Sequence, residues 1–152
     1  DTPLSARGQQ QAALVAQRIG VLAPAAILSS DMPRAWQTAQ AAAAATGLPI
    51  IAEPLLRERN FGDWRGRAHG SFGFDPVASL QAPPNGESMA EFLDRVARAW
   101  AAASRVRAGL GGPLLVVSHG LVIRAALQHH ARHAEAGLAP TAPVPVRMSC
   151  SA

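Results

Sequence analysis

Two short apolar runs of the sequence end in small polar residues that could bind an anion. Ser29-Ser30-Asp31 follows the run Ala25–Leu28, and Ser118-His119-Gly120 follows the run Leu114–Val117. In open α/β sheets, ligands bind beyond the carboxyl ends of the strands, where the helices that follow present N-terminal amides that favour anions. Arg34 falls in the first turn of one such helix. Arg34 and His119 together therefore predict a phosphate site.

Each of these two residues also has an ordinary structural explanation. An arginine such as Arg34 is commonly a solvated surface residue, and a single histidine after a strand, such as His119, commonly satisfies a structural hydrogen bond. The order of strand, small polar residues and charged group occurs twice, however, and this repetition favours a site.

Apolar spacing indicates the helices and strands that would hold these residues. Short apolar runs predict strands at 25–28, 48–52 and 114–117, and a last strand is expected over 146–152. Helices alternating with buried strands predict an α/β fold with a mainly parallel sheet. Residues 53–87 lack periodicity, and such a long loop is expected to carry function. Helical spacing runs from Leu4 to Leu22 with Ser5 as a cap, from Arg34 to Thr46 with a stop at Gly47, from Ser88 to Arg107, and from Leu121 to about Ala134.

Length and composition limit the class of protein. The chain has 152 residues, 49% of them hydrophobic and 16% charged, which excludes a disordered chain and predicts a single domain over residues 1–152. No apolar run is long enough for a transmembrane helix and no signal peptide is visible, so we expect a cytoplasmic protein without a membrane partner. The single cysteine, Cys150, excludes an internal disulfide.

The charge pattern and the histidines give little support for a nucleic-acid or a metal partner. The chain lacks Lys and Tyr, which raises the pI to 11.2 although the net charge is only +4. Because acids separate its arginines, we expect no nucleic-acid partner. His129 and His133 could ligate a metal, but histidines near a helix end also suit the helix dipole, so we expect no metal and no cofactor. The expected partner is a small phosphorylated substrate or inorganic phosphate, with a homodimer left open.

Five segments in a fixed order cover nearly the whole chain. They are Asp-Thr-Pro-Leu-Ser-Ala-Arg-Gly at 1–8, Ser-Ser-Asp-Met-Pro-Arg-Ala-Trp-Gln-Thr-Ala at 29–39, Leu-Arg-Glu at 56–58 with Phe-Gly-Asp-Trp-Arg-Gly at 61–66, Asn-Gly-Glu-Ser at 85–88, and Val-Val-Ser-His-Gly-Leu-Val-Ile-Arg-Ala at 116–125. In this order and spacing they resemble the motifs of the histidine phosphatases, the phosphoglycerate mutase-like superfamily. The resemblance implies a three-layer α/β fold with helices on both faces of the sheet.

The resemblance also implies a phosphoryl-transfer mechanism. In the family, a histidine attacks a phosphate ester and water then hydrolyses the phosphohistidine, while arginines and a second histidine stabilise the charge. Matched by position, Arg34 is the arginine that clamps the phosphate, His119 is the second histidine and Glu58 is the acid that protonates the leaving oxygen. Ser118 and Gly120 are expected to bind the substrate beside His119.

The assignment of the proton donor leaves alternatives open, because donors vary among branches of the family. Asp63 and Glu87 are nearby candidates for the same role. Glu58 could instead form a structural salt bridge with one of three arginines, namely Arg57, Arg59 or Arg34.

The chain departs from the family at its nucleophile, which lies in an Arg-His-Gly motif at the end of the first strand. The two His-Gly pairs are His119-Gly120, already matched, and His69-Gly70, which lies in a loop. We therefore expect a piece truncated at the N-terminus and short at the C-terminus, with the first strand missing, that is marginally stable and catalytically inactive. Its full-length parent would be a phosphomonoesterase; the alternative is a pseudophosphatase that binds phosphate without catalysis.

The spacing of the motifs also indicates a class of substrate. Phosphoglycerate mutases of the family carry a long insertion before the Gly-Glu-Ser motif, whereas about twenty residues separate Gly66 from Gly86. The resemblance therefore favours the bacterial phosphatase branch, whose members act on small phosphorylated metabolites.

Overall fold

Three short parallel strands form a sheet with helices on both sides. The computed structural model describes residues 2–135, with their side chains except at 69 and 132–135. None of the helices in this range has the length and apolar character needed to span a membrane. The elements in chain order are α1 (Ala6–Leu22), β1 (Ala26–Ser29), α2 (Pro33–Thr46), β2 (Ile50–Ala52), α3 (Met89–Ala108), β3 (Leu114–Val117) and α4 (Gly120–Glu135).

Strand β1 lies between the other two, in the order β2-β1-β3. Ile27 pairs with Ile50 on one side and with Leu115 on the other. Ile27 and Leu28 are 0% and 1% exposed, because successive strand residues point to opposite faces and helices cover both. This arrangement confirms the predicted three-layer α/β fold. The core on the α1 and α2 side contains Ile19, Ile27, Ala35, Ala39, Ala42 and Val117, and the core on the α3 and α4 side contains Leu28, Leu56, Phe92, Val96, Ala99, Ala103, Val122 and Ala125.

The helix ends follow local capping rules. The Ser5 hydroxyl accepts the Gly8 amide at 3.2 Å, and α2 ends at Gly47, whose φ of +72° suits glycine. Ser88 and Glu91 form a capping box at the start of α3. The predicted helices therefore agree with the structure to within two residues at each end. The strand expected over 146–152 lies outside the described residues.

Strand β3 forms an edge of the sheet within residues 2–135. Its hydrogen bonds run to β1 on one side, and Val116 is 37% exposed although it lies in the clearest apolar run of the sequence. Such an edge presents backbone groups that can pair with a further strand.

The long loop between β2 and α3 is ordered by close backbone contacts and one buried arginine. Gly62 has a φ of +48°, and a Cβ there would lie 2.0 Å from the Pro84 carbonyl oxygen, so the two ends of the loop pack together only with glycine at this position. Arg59 is 2% exposed, and its guanidinium donates to the carbonyls of residues 77, 79, 81 and 87. The loop is therefore a folded part of the domain and brings its two ends to the carboxyl edge of the sheet.

Candidate active site

Ser30 and His119 meet at the carboxyl edge of the sheet, where the sequence predicts the two strand ends that carry them. Because β1 and β3 are parallel neighbours, the Ser30 amide donates to the Val117 carbonyl at 2.9 Å. The Ser30 hydroxyl then lies 2.9 Å from His119 Nε2, and the two residues are 0% and 8% exposed. The Ser30 oxygen also accepts the Met32 amide at 3.3 Å. This pair fixes the imidazole at the start of α4.

The surroundings of His119 favour its neutral form. Burial, followed by the positive charges of Arg34 and Arg95, lowers the pKa of His119 to about 4, and the opposing effect of Asp31 is smaller. The imidazole is therefore neutral near pH 7. A bound phosphate dianion would oppose the effect of the two arginines, since it adds negative charge to the same site.

Arg34 extends from the first turn of α2 and is exposed. Its Nη1 lies 2.6 Å from Thr2 Oγ1 and 3.5 Å from the Thr2 carbonyl oxygen. Its charge is felt by both His119 and Glu58, whose pKa values it lowers, so all three groups share one electrostatic site. The structure thus brings Arg34 to the predicted edge, and its role as a phosphate clamp stays a prediction.

Glu58 lies half-buried between the loop and the start of α4. Its carboxylate accepts the Arg59 amide at 3.0 Å and the Leu121 amide at 3.5 Å. Burial raises the pKa of Glu58, although these two hydrogen bonds and the charges of Arg95 and Arg34 act against the increase. A raised pKa favours the protonated form of a carboxyl group, which is the form that a proton donor needs.

The salt bridge considered as an alternative role for Glu58 is absent among the described residues. Arg57 pairs with Asp31, and Arg59 donates to Glu58 only through its backbone amide while its guanidinium binds carbonyls. The ion pairs in this part of the chain are Asp31 with Arg57, Glu87 with Arg95, and Asp94 with Arg98.

The other two candidate donors lie in different surroundings. Glu87 forms two hydrogen bonds with Arg95, at 2.7 and 2.8 Å, and accepts the Asn60 amide. Asp63 is exposed, and its carboxylate accepts the Asn85 side-chain amide. Glu87 is therefore committed to an ion pair and Asp63 faces solvent, and the role of Glu58 as the proton donor stays a prediction.

Ser118 and Gly120 flank His119 but have different surroundings. The Ser118 hydroxyl donates to the Leu56 carbonyl at 2.7 Å, which ties the end of β3 to the loop that carries Glu58. Gly120 opens α4, and a Cβ there would meet no atom within 4 Å apart from its chain neighbours and the backbone of its own helix. Substrate binding by these two residues stays a prediction.

Two charged residues of the site had no predicted role: Asp31 was named from the sequence at the end of a strand without one, and Arg95 was not named. Asp31 binds Arg57 through paired hydrogen bonds, and this contact lowers the pKa of Asp31. Arg95 of α3 donates hydrogen bonds to the backbone carbonyls of Arg57 and Glu58. The position of Asp31 after a strand was a visible signal, whereas the sequence contains no local sign of the contacts that Arg95 makes.

The described residues offer no metal centre. Among them, no group of three or more His, Cys, Asp and Glu residues could hold a metal ion. His129 lies on α4, and the side chain of His133 is outside the described part of the chain. Metal-independent catalysis therefore stays a prediction.

The fold and the site together define a class of protein: a three-layer α/β domain with a buried histidine, an arginine and a half-buried carboxyl group around the carboxyl edge of a parallel sheet. Residues 1–143 match the model of the histidine phosphatase superfamily, branch 1. The chain belongs to this superfamily, which confirms the resemblance found in its motifs.

Relatives of known name include enzymes of two kinds. The chain is 36% identical over 140 residues to the protein named probable phosphoglycerate mutase GpmB from Yersinia enterocolitica, a match that covers 81% of the chain and 60% of the relative. It is 34% identical over 139 residues to glucosyl-3-phosphoglycerate phosphatase from Mycobacterium tuberculosis, which covers 82% of the chain and 62% of the relative. The chain thus spans about three-fifths of the length of these relatives.

Solved structures show the same fold. The mycobacterial glucosyl-3-phosphoglycerate phosphatase in complex with VO3 superposes with a TM-score of 0.76 at 30% identity, covering 87% of this chain and 70% of that one. The same phosphatase with inorganic phosphate gives a TM-score of 0.75 at 32% identity, with 87% and 70% covered. The first of these structures is thus a complex with VO3 and the second a complex with inorganic phosphate.

Proposed function

We propose that this chain forms the phosphate-binding and proton-donating part of a phosphomonoesterase that acts on small phosphorylated metabolites. The observation that carries the proposal is the electrostatic contrast at the sheet edge. His119 is held neutral, while the pKa of Glu58 is raised, and both lie within the field of Arg34. Groups whose pKa values are moved by burial and by specific charges are typical of catalytic sites.

In this proposal each group has one role. Arg34 binds the phosphate oxygens with its planar fork of donors, and His119 contacts the phosphoryl group as its charge rises. A nucleophilic histidine attacks phosphorus, the bond from phosphorus to the ester oxygen breaks, and Glu58 gives its proton to that oxygen. Water then attacks the phosphohistidine, releases inorganic phosphate and returns a proton to Glu58.

The 152 residues contain no Arg-His-Gly motif, the motif in which the nucleophilic histidine of the family lies. We therefore expect the chain alone to bind phosphate without turnover. The same observation favours a second candidate, a pseudophosphatase that binds a phosphorylated ligand for regulation.

Two experiments separate these possibilities. Titration of the chain with inorganic phosphate should show binding, and Arg34→Ala should weaken it at least tenfold, whereas Arg18→Ala on the exposed side of α1 should not. Equal affinity of wild type and Arg34→Ala would refute the clamp. Hydrolysis of p-nitrophenyl phosphate by the protein of the complete reading frame would support the enzyme, and phosphate binding without hydrolysis would support the pseudophosphatase.

A further inference from the structure

Arg95 of α3 contacts the backbone of residues 55–58, the Glu58 segment. We propose that Arg95 is a positioning residue for proton transfer, which ties residues 55–58 to Glu87 and so holds the Glu58 carboxyl group against the start of α4. This inference rests on the proposed role of Glu58 as the proton donor.

The guanidinium of Arg95 uses its whole set of donors on this segment and on Glu87. Nε and Nη2 donate to the two carboxylate oxygens of Glu87 at 2.7 and 2.8 Å. Nη1 donates to the carbonyls of Leu55 and Arg57, both at 2.7 Å, and Nη2 also donates to the Glu58 carbonyl at 3.4 Å. These contacts account for all five N–H groups of an arginine side chain. A lysine, with three donors on a single nitrogen, cannot reproduce them.

Four consecutive carbonyls of the Glu58 segment are bound by side chains as a result. Arg95 binds the carbonyls of Leu55, Arg57 and Glu58, and the Ser118 hydroxyl binds the Leu56 carbonyl between them. The segment is therefore held from α3 on one side and from the end of β3 on the other. Its backbone cannot rotate at Glu58 without breaking at least one of these hydrogen bonds.

The surroundings make this arrangement stiff. The side chains of Arg95 and Glu87 are only 15% and 13% exposed, so their paired hydrogen bonds are shielded from water. Glu87 is itself fixed, because it accepts the Asn60 amide and its own amide donates to the Asn60 carbonyl at 2.7 Å. The chain thus places Glu58 by a connected set of contacts that begins in the Asn-Gly-Glu-Ser motif.

Arg95 also contributes charge to the site. It lowers the pKa of Glu58 and of His119, in addition to the effect of Arg34. Substitution can separate the charge of Arg95 from the positions of its donors, since a lysine keeps the positive charge and loses the donor positions. Arg98, one helical turn further along α3, is exposed and pairs with Asp94, so Arg98→Ala is a matched control.

Amide hydrogen exchange of the complete chain tests the positioning role without relying on turnover. The amides of Arg59 and Leu121 both donate to the Glu58 carboxylate, so their exchange reports directly on its place. We expect Arg95→Lys to accelerate exchange at these two amides at least tenfold while leaving the β1 amides unchanged, and Arg98→Ala to have neither effect. Unchanged exchange at Arg59 and Leu121, or equal acceleration in β1, would overturn the proposal.

Histidine and carboxyl titrations by NMR give a second readout. Arg95→Ala should raise the pKa of His119, because it removes a positive charge and admits water. Arg95→Lys keeps the charge and lets water reach Glu58, so it should lower the pKa of Glu58 toward its ordinary value. If Arg95→Ala does not fold, the lysine variant decides, and a Glu58 pKa that stays at its wild-type value would overturn the proposal.

The turnover of the protein of the complete reading frame tests whether the position of Glu58 affects the chemical step. Arg95→Lys should lower kcat at least tenfold with KM within threefold of wild type, because a proton donor acts in the transition state. A wild-type kcat would contradict the positioning role. Absence of turnover in the wild type would refute the proposed enzyme, and the exchange and titration results would still decide whether Arg95 holds Glu58.

Discussion

Lowering the pH from 7.5 to 5 should reduce the free energy of unfolding through His119. In the folded chain, burial and the charges of Arg34 and Arg95 lower the pKa of His119 from 6.5 to about 4. In the unfolded chain the same side chain takes up a proton near pH 6.5. Between these two values the unfolded state binds more protons, so the folded state loses stability as the pH falls.

The size of the effect follows from the separation of the two pKa values. Each pH unit between them changes the free energy of unfolding by about 1.4 kcal/mol for one proton. From pH 7.5 to pH 5 the free energy of unfolding should fall by about 2 kcal/mol. Solvent screening of the His119 ring, which is 8% exposed, reduces this value. Below about pH 4 both states carry the proton and the loss attributed to His119 stops growing.

Glu58 acts in the opposite direction and must be separated from His119. Burial raises its pKa above the ordinary value of 4.5, so between 4.5 and the raised value the folded state binds more protons. Glu58 therefore adds stability as the pH falls through that window. A comparison of the wild type with His119→Gln cancels this contribution, because Glu58 is present in both proteins.

Urea unfolding followed by tryptophan fluorescence measures the difference. The chain has three tryptophans, and the buffers must be free of phosphate and sulfate. The stability of the wild type minus that of His119→Gln should fall by about 2 kcal/mol between pH 7.5 and pH 5. If the two proteins keep a constant difference over this range, His119 titrates as it would in water and the proposed burial of a neutral imidazole is wrong.

Three further predictions test the structure at single positions, one of them with a matched control. Ser30→Ala leaves the buried His119 nitrogen without its hydroxyl partner and should cost about 1–3 kcal/mol by urea unfolding at pH 7.5; an unchanged midpoint would contradict the contact. Gly62→Ala should lower the free energy of unfolding by more than about 2 kcal/mol, because of its positive φ and the nearby Pro84 oxygen. Gly66 has a φ of +75°, and a Cβ there would meet no atom within 4 Å apart from its chain neighbours, so the control Gly66→Ala should lower it by about 1 kcal/mol. Equal losses in the two variants would refute the close contact at Gly62. Ser88→Ala should cost about 1 kcal/mol through its capping box, and no loss would show that the cap is redundant.

The features of the fold that are set by residues close together in the sequence could be predicted. Apolar spacing and capping residues such as Ser5 and Gly47 predicted the helix ends to within two residues, so α1 and α2 lie where expected. The placement of Ser30 and His119 at one edge of the sheet was also predictable, because parallel strands have their carboxyl ends at the same edge, whereas their direct contact depends on the strand order. Both conclusions follow from rules that need no knowledge of the loop.

The same rules could not separate the three candidate proton donors. Glu58, Asp63 and Glu87 all lie in or beside one aperiodic loop and have the same functional group. Their difference arises from tertiary contacts: Arg95 takes Glu87, solvent reaches Asp63, and Glu58 is covered by the start of α4. A pKa depends on burial and on nearby charges, and neither is written in the local sequence.

The assignment of partners among the arginines explains which of them remains for a phosphate. Arg57 is bound to Asp31, Arg59 to backbone carbonyls and Arg95 to Glu87 and the Glu58 segment. Arg34 is exposed, and its only side-chain hydrogen bonds within the described part of the chain run from Nη1 to Thr2. Its Nε and Nη2 donors therefore stay available at the edge where His119 lies. An oxyanion can be bound through paired donors only by a guanidinium whose fork is not already filled, and among these four arginines Arg34 meets that condition, which supports its proposed role as the phosphate clamp.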